Sequence, residues 1–305
     1  LELGESLEQK DNMESKINRY SKQLIIFNSL FIIVWLVISV FPFIWTFWGS
    51  FKVKADFFSR ADWMFAVTGV NTLIETGDTS TVKAYVESWT EGEFWKAAMN
   101  TIIITVSVVA ISLFLGTLGA YALSRSTYKY TFWILIAALI FRAMPHITLV
   151  SGYLFPFFQL NVWGILPTTI IVLVAINQPF TLWLLYSFFK TVPKELDESA
   201  LIDGCSYFQA FRYVIMPVMW PGVVTAGLFS MMLAYNDFTV TSLLLNQQNY
   251  TMVPKINAYL GTIEHSGNYM WAVSSVVSAT APLFMIIMFF QRQLISGLTA
   301  GAVKG

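Results

Sequence analysis

Two ionisable residues, Arg142 and Asp237, lie inside stretches otherwise almost free of charge. A charge surrounded by apolar sequence is costly, so it either pairs with another group or faces a polar cavity. Asp237 follows Asn236 and Tyr235, and an amide beside a carboxylate can hydrogen-bond the hydroxyls of a solute. A second concentration of polar chemistry lies in Thr191–Pro221, where Glu195, Asp197, Glu198 and Asp203 precede Gly204. Other chemistries find little support. One cysteine, Cys205, excludes a disulfide framework or a cysteine metal cluster, and His146 and His265 read as isolated polar side chains. No GxxxxGK[ST] phosphate loop occurs, so a nucleotide is not cradled that way. Neither a catalytic group nor a metal site is expected.

The elements that hold these residues must be membrane spans. Of 305 residues, 56% are hydrophobic and 12% charged, against about 25% charged in ordinary soluble domains. With 18 basic and 18 acidic residues the net charge is zero, which argues against a soluble enzyme, a disordered chain or a nucleic-acid binder. The exterior is expected to be lipid.

Uncharged runs locate the spans at 23–51 and 97–124, and a longer run covers 143–189. As one helix, 143–189 would measure about 70 Å, twice a hydrocarbon core. Ser151-Gly152, Pro156 and Asn161 interrupt it, so two spans are expected, 131–154 carrying Arg142 and 163–188. A fifth should run from after Pro221 to Leu245 with Asp237 within it, and a sixth from Trp271 to Gln291. Lipid demands internally satisfied backbone, so the spans are helices. The first run is too long for a signal-peptide core and reads as an uncleaved anchor. Met13 precedes Glu14-Ser15-Lys16, so residues 1–12 read as an upstream extension.

Six spans put both termini on one side. Lys10, Lys16, Arg19, Lys22, Arg125, Lys129, Lys190, Lys194, Arg212, Arg292 and Lys304 share that side, against Lys52, Lys54, Arg60, Lys83, Lys96 and Lys255 on the other, so both termini are expected in the cytoplasm. The resulting organisation is a cytoplasmic segment at 1–22, a first span at 23–51, an external loop at 52–96, a core at 97–291 and a cytoplasmic tail at 292–305. The external loop carries turn residues Gly69, Asn71, Gly77 and Asp78 and aromatics Trp63, Trp89 and Trp95. It reads equally as an amphipathic cap on the outer interface or a docking surface.

Within the core, 191–221 faces the cytoplasm. Pro193 should open a short helix with acids in its first turns, Gly204 should break it, and a second helix should begin near Ser206 with Phe208, Phe211 and Ile215 on one side. Pro217 and Pro221 should end that helix as the chain re-enters the membrane. Physics alone allows a membrane-surface elbow or a docking knob.

Here a resemblance enters. Glu198-Ser199-Ala200, Asp203-Gly204, Ile215 and Pro217 resemble the EAA loop of permease subunits of bacterial binding-protein-dependent ABC importers. Ser199 replaces an alanine, Cys205 a small residue and Met216 a leucine, all conservative in packing. Asn100, Ala120-Tyr121-Ala122-Leu123-Ser124-Arg125, Arg142-Ala143-Met144-Pro145, Pro179-Phe180, Trp183, Asn236-Asp237-Phe238 and the ending Gly297–Gly305 are similar to the carbohydrate type, the six-span subunit of maltose-type systems in particular. Ser151-Gly152 departs from the Ile-Pro that often ends the third span.

The resemblance implies an all-α, six-span type I ABC importer permease fold in the bacterial inner membrane, moving a sugar or polyol-like solute. The implied partners are a second permease subunit, two ATPase subunits that handle ATP and magnesium, and an external solute-binding protein. Glu198, Ser199, Ala200, Asp203, Gly204, Ile215 and Pro217 would couple to the ATPase, and the tail, with Gly297, Thr299 and Gly301, would reach between the two ATPases. At a terminus, disorder is the plainer physical reading of such a tail. Asn236, Asp237, Arg142 and Tyr235 would line a substrate path, with Tyr153 and Trp183 able to stack on a sugar ring; packing or mutual pairing is the plainer reading. The rival class is a component of an ion-gradient-driven secondary transporter, in which Asp237 would be the relay.

Overall fold

The computed structural model describes the backbone of residues 2–52, 82–261 and 269–302, and the side chains of 24–52, 82–261 and 269–293. All regular structure among the described residues is helical. The chain divides into two compact units, Leu1–Thr81 and Val82–Gly305.

The first unit holds α1, Glu2–Gly49, whose Leu24–Gly49 portion is long and apolar enough to cross a membrane. Most of its large side chains from Leu24 to Phe47 are exposed, the pattern of a span that meets lipid or a partner. Pro42 sits inside it, and Thr46 Oγ1 donates to the Pro42 carbonyl at 2.8 Å, which returns a donor to that turn. Most of the external loop, Trp63 included, lies outside the described residues.

The second unit begins with α2, Lys83–Trp89, then α3, Phe94–Arg125. α4, Thr131–Ala143, and α5, His146–Gln159, follow, then α6, Leu166–Phe189. α7 is Glu195–Ile202 and α8 is Tyr207–Tyr235. α9, Thr239–Leu244, α10, Met252–Leu260, and α11, Tyr269–Ala302, complete it. In α1, α3, α6, α8 and α11, five segments are long and apolar enough to span, or six if the bent pair α4–α5 is one span.

α3 is the central helix. Ser112, Gly116, Thr117 and Ala120 are buried along it, small residues that let neighbouring helices approach closely. α6 and α8 are comparably tight, for a Cβ on Gly222 would come within 2.8 Å of the Phe188 ring. Three apolar clusters hold the unit. One joins Ile104 and Val108 to Val150, Leu173 and Val240. A second gathers Ala120, Leu185, Phe189, Phe211 and Ile215 at the foot of α3, and a third sets Phe94 and Ala97 against Met252, Tyr259 and Ala272 at its head.

Two spans differ from expectation. An unexpected break falls at Met144–Pro145, where α4 and α5 meet at 83°, while the expected interruption is present between Gln159 and Leu166, with Asn161 at φ +55°. Proline drives the residue before it out of the helical region, and Met144 accordingly adopts φ −67°, ψ 143°. Ser151, Gly152 and Pro156 all lie inside α5. The fifth span begins at Tyr207 rather than after Pro221 and ends at Tyr235, so Asp237 lies beyond it. Pro217 and Pro221 do not end the helix that begins after Ser206. A run of π turns over Ala210–Ile215 precedes Pro217, and Thr225 Oγ1 donates to the Pro221 carbonyl at 2.9 Å, so the helix absorbs both rings.

The stretch that contains α2 folds onto α11. Trp271 Nε1 donates to Glu87 at 2.9 Å, Trp89 Nε1 to Ser278 at 3.2 Å, and Ser274 Oγ to the Ala84 carbonyl at 3.1 Å. The tail residues Gly297, Thr299 and Gly301 continue the backbone of α11; their side chains lie outside the described residues.

Candidate functional site

α7 forms where expected, and its end explains Gly204. Cys205 N donates to the Ala200 carbonyl at 3.0 Å and Gly204 N to Leu201 at 3.1 Å, the paired bonds of a Schellman stop. Gly204 has φ +87°, and a Cβ there would meet nothing within 4 Å. The glycine therefore serves the left-handed turn, not a tight crossing within this chain. α8 opens with a capping box. Gln209 N donates to Ser206 Oγ, and Ser206 N donates to Gln209 Oε1 at 2.8 Å, a Ser-x-x-Gln spacing readable in the sequence.

Ala200, Phe211 and Ile215 are buried, whereas Glu198, Ser199, Asp203, Gly204 and Pro217 are exposed. Phe208 does not share the buried side of Phe211 and Ile215 but is exposed. Like Ile202 (86% exposed), Tyr207 (75% exposed) and Tyr213, it is a large apolar or aromatic side chain that the knob leaves exposed.

The charge that fixes the knob to its own chain is Asp197, one residue before Glu198. Tyr121 Oη donates to Asp197 Oδ1, and Arg125 Nε donates to Asp197 Oδ2 at 2.8 Å. Arg125 Nη1 also donates to the Val192 carbonyl at 3.1 Å and the Phe189 carbonyl at 3.3 Å. The pair is largely enclosed, with 16% and 14% of the two side chains exposed. The Tyr121 ring packs on Phe189 and, at 4.9 Å between centroids, on Phe211. The contact joins residues 72 to 76 apart in sequence, beyond any local pattern. The only signal was that Tyr121 and Arg125 stand four apart, on one face at the foot of a span.

The expected substrate-path residues do not converge. Arg142 lines a cavity of about 360 Å³ with Phe141, Tyr153, Phe157 and Pro179. Its Nη1 reaches the Ile176 carbonyl at 3.5 Å and its guanidinium stands 5.5 Å from the centre of the Phe180 ring. It forms no ion pair among the described residues. Tyr235 lines a separate groove between α3, α8 and α11, and donates to the Ala279 carbonyl at 2.7 Å. Asn236 donates to the Met232 carbonyl at 3.0 Å. Asp237 Oδ1 accepts from Val240 N and Thr241 N, both at 3.0 Å, and so caps α9. Tyr153 stacks on Phe157, and Trp183 lies against Phe180 outside the Arg142 cavity. Asn100 Nδ2 donates to the Tyr250 carbonyl at 3.3 Å, joining the head of α3 to the segment before α10. Among the described residues no group of histidine, cysteine and carboxylate side chains is placed to hold a metal.

Residues 16–299 match the family described as "Binding-protein-dependent transport system inner membrane component". The chain is 32% identical over 278 residues to the trehalose/maltose transport system permease protein MalG of Thermococcus litoralis, covering 90% of this chain and 94% of that one. It is 28% identical over 270 residues to the diacetylchitobiose uptake system permease protein DasC of Streptomyces coelicolor, covering 87% and 92%. In fold it is similar, with a TM-score of 0.72 at 19% identity over 90% of this chain and 97% of the other, to the crystal structure of a bacterial ABC transporter involved in the import of the acidic polysaccharide alginate.

Proposed function

The chain belongs to the family of binding-protein-dependent transport system inner membrane components, and on that premise we propose that it is the permease subunit of an ATP-driven importer of a sugar or polyol-like solute. In this reading it crosses the inner membrane six times, with α4–α5 as one broken span and both termini in the cytoplasm. It pairs with a second, related permease, two ATPase subunits that bind ATP and magnesium, and an external solute-binding protein. The sugar class rests on relatives named for trehalose, maltose and diacetylchitobiose.

One observation carries the coupling role: the α7–α8 knob is fixed from below and bare on top. Its base is apolar core and an enclosed ion pair, while Ile202, Tyr207, Phe208 and Tyr213 are exposed, as is Glu198. Such exposed apolar side chains are costly in water and suit a cleft on a cytoplasmic ATPase. Glu198, unpaired among the described residues, offers a charge to the far side of that contact. The rival, a gradient-driven carrier, needs an acid free to load and release an ion. Asp237 is committed to two backbone amides, which disfavours that role. Arg142 and Tyr153, which line one cavity, supply a polar contact and a stacking surface for a path.

Purification in mild detergent with its partners should recover a bound ATPase, and reconstituted vesicles should take up maltose or trehalose only with ATP. Glu198→Lys or Gly204→Asp should leave membrane insertion intact and reduce uptake at least tenfold. Undiminished uptake in either variant, or uptake that survives without ATP and collapses with an uncoupler, would overturn the reading.

A further inference from the structure

α7 is joined by chain only to α6, through 190–194, and to α8, through 203–206; α3 has no covalent link to the knob. We propose that Arg125, together with Tyr121 and Asp197, is the positioning element that makes the knob and the foot of α3 move as one body. This rests on the reading of the knob as an ATPase-docking element and adds the route by which displacement leaves it.

The geometry supports a directional link. Apolar contacts at the base of the knob, such as Leu196 against the Ala120–Phe189–Phe211 cluster, resist separation but tolerate sliding. A charge-assisted network resists sliding better, because both oxygens of the Asp197 carboxylate are held by directional bonds, Oδ1 by Tyr121 and Oδ2 by Arg125 Nε. Arg125 is the last residue of α3, and its guanidinium holds the Asp197 carboxylate and two carbonyls of the α6 terminus together. Tyr121, one turn earlier, takes the second oxygen of that carboxylate while its ring lies against Phe211 in the π turns of α8. Two side chains of α3 thus bind α6, α7 and α8 at once. An enclosed ion pair adds little net stability over an apolar substitute, but it specifies a single arrangement. The cluster sits at the foot of the most central helix, whose buried face then carries motion towards its head.

The test uses the assembled importer with Cys205→Ser and spin labels on Glu195→Cys, in the first turn of α7, and Tyr128→Cys, just past α3; both sites are exposed. In the parent, the label-to-label distance should keep one narrow distribution without nucleotide, with ATP, and after vanadate trapping. Asp197→Asn and Arg125→Gln should at least double its width and lower uptake per ATP hydrolysed at least fivefold, with the ATPase still co-purifying. Tyr121→Phe should lower it about twofold. Arg125→Lys, which keeps a charged donor towards Asp197 and the two carbonyls, should give a narrower distribution than Arg125→Gln, which a general loosening of the fold would not predict. Distributions as narrow as the parent's in both single variants, or loss of bound ATPase in step with loss of uptake, would overturn the proposal. Failure of the docking reading itself is separate: the parent would then purify without an ATPase.

Discussion

The knob and the supposed substrate path contain similar residue types, yet they are built in opposite ways. At the knob, Tyr121, Arg125 and Asp197 each serve several neighbours, and four helices meet on three side chains. Along the path, Arg142, Tyr235, Asn236 and Asp237 each serve their own surroundings, in two separate cavities or in none. The first arrangement transmits position, because a shift of one member strains the rest. The second leaves each group free to change without moving the others, which suits a surface completed by a partner subunit.

The largest effect should come from testing that contrast directly. Removing one member of an enclosed ion pair leaves the other buried and unpaired, so Asp197→Ala or Arg125→Ala should each cost about 3 kcal/mol of unfolding free energy in detergent. The double variant should lose much less than the sum, by about 0.5–3 kcal/mol of interaction energy. The same cycle on Arg142→Ala and Asp237→Ala should be additive to within about 0.5 kcal/mol. Strong coupling between Arg142 and Asp237 would erase the distinction between the two regions.

A smaller, local effect is expected at Asp237. Loss of a side-chain cap costs about 1–2 kcal/mol, so Asp237→Ala should speed amide exchange at Val240 and Thr241, whose N–H groups it holds. Exchange in α7 should not change, and ATP hydrolysis by the assembled importer should stay within about twofold of the parent. An effect that reached the knob would show that the path also transmits position.

The unequal construction also explains what could be read in advance. Four of the expected spans coincide with long apolar helices, α1, α3, α6 and α11, because lipid selects long uncharged runs, and the knob was legible because its helix, stop and restart are encoded within a few residues of one another. Its anchoring was not, since Asp197 meets Arg125 across 72 positions and nothing local distinguishes it from Glu198. The break at Pro145 was not anticipated for a different reason, although the expected one near Asn161 is present. Proline disfavours the helical region for the residue before it, and Met144 leaves that region, whereas Pro156 and Pro221 are absorbed inside helices, so residue type alone did not say which proline makes the break. Likewise Asp237, beside an apolar run, was placed inside the span although the helix ends at Tyr235 and the carboxylate caps the next one. Periodicity and charge spacing find elements; they do not reveal which end of an element a polar group serves.

The smallest effect concerns Gly204, and it separates two ways of needing a glycine. Within this chain the residue is required for its positive φ, since a Cβ would touch nothing. Gly204→Ala should then cost about 1 kcal/mol through the left-handed backbone. Gly204→Asn should cost less, because asparagine tolerates that region by bonding to its own backbone. ATPase retained on the purified complex should therefore fall modestly for alanine and remain near the parent level for asparagine, in contrast with the charged Gly204→Asp. If asparagine expelled the ATPase as thoroughly as aspartate does, the glycine would be holding open a close approach by the partner surface. The exposed side chains of the knob and its turn would then be a single docking surface, and the rigidity assigned to the base would have to be shared with the top.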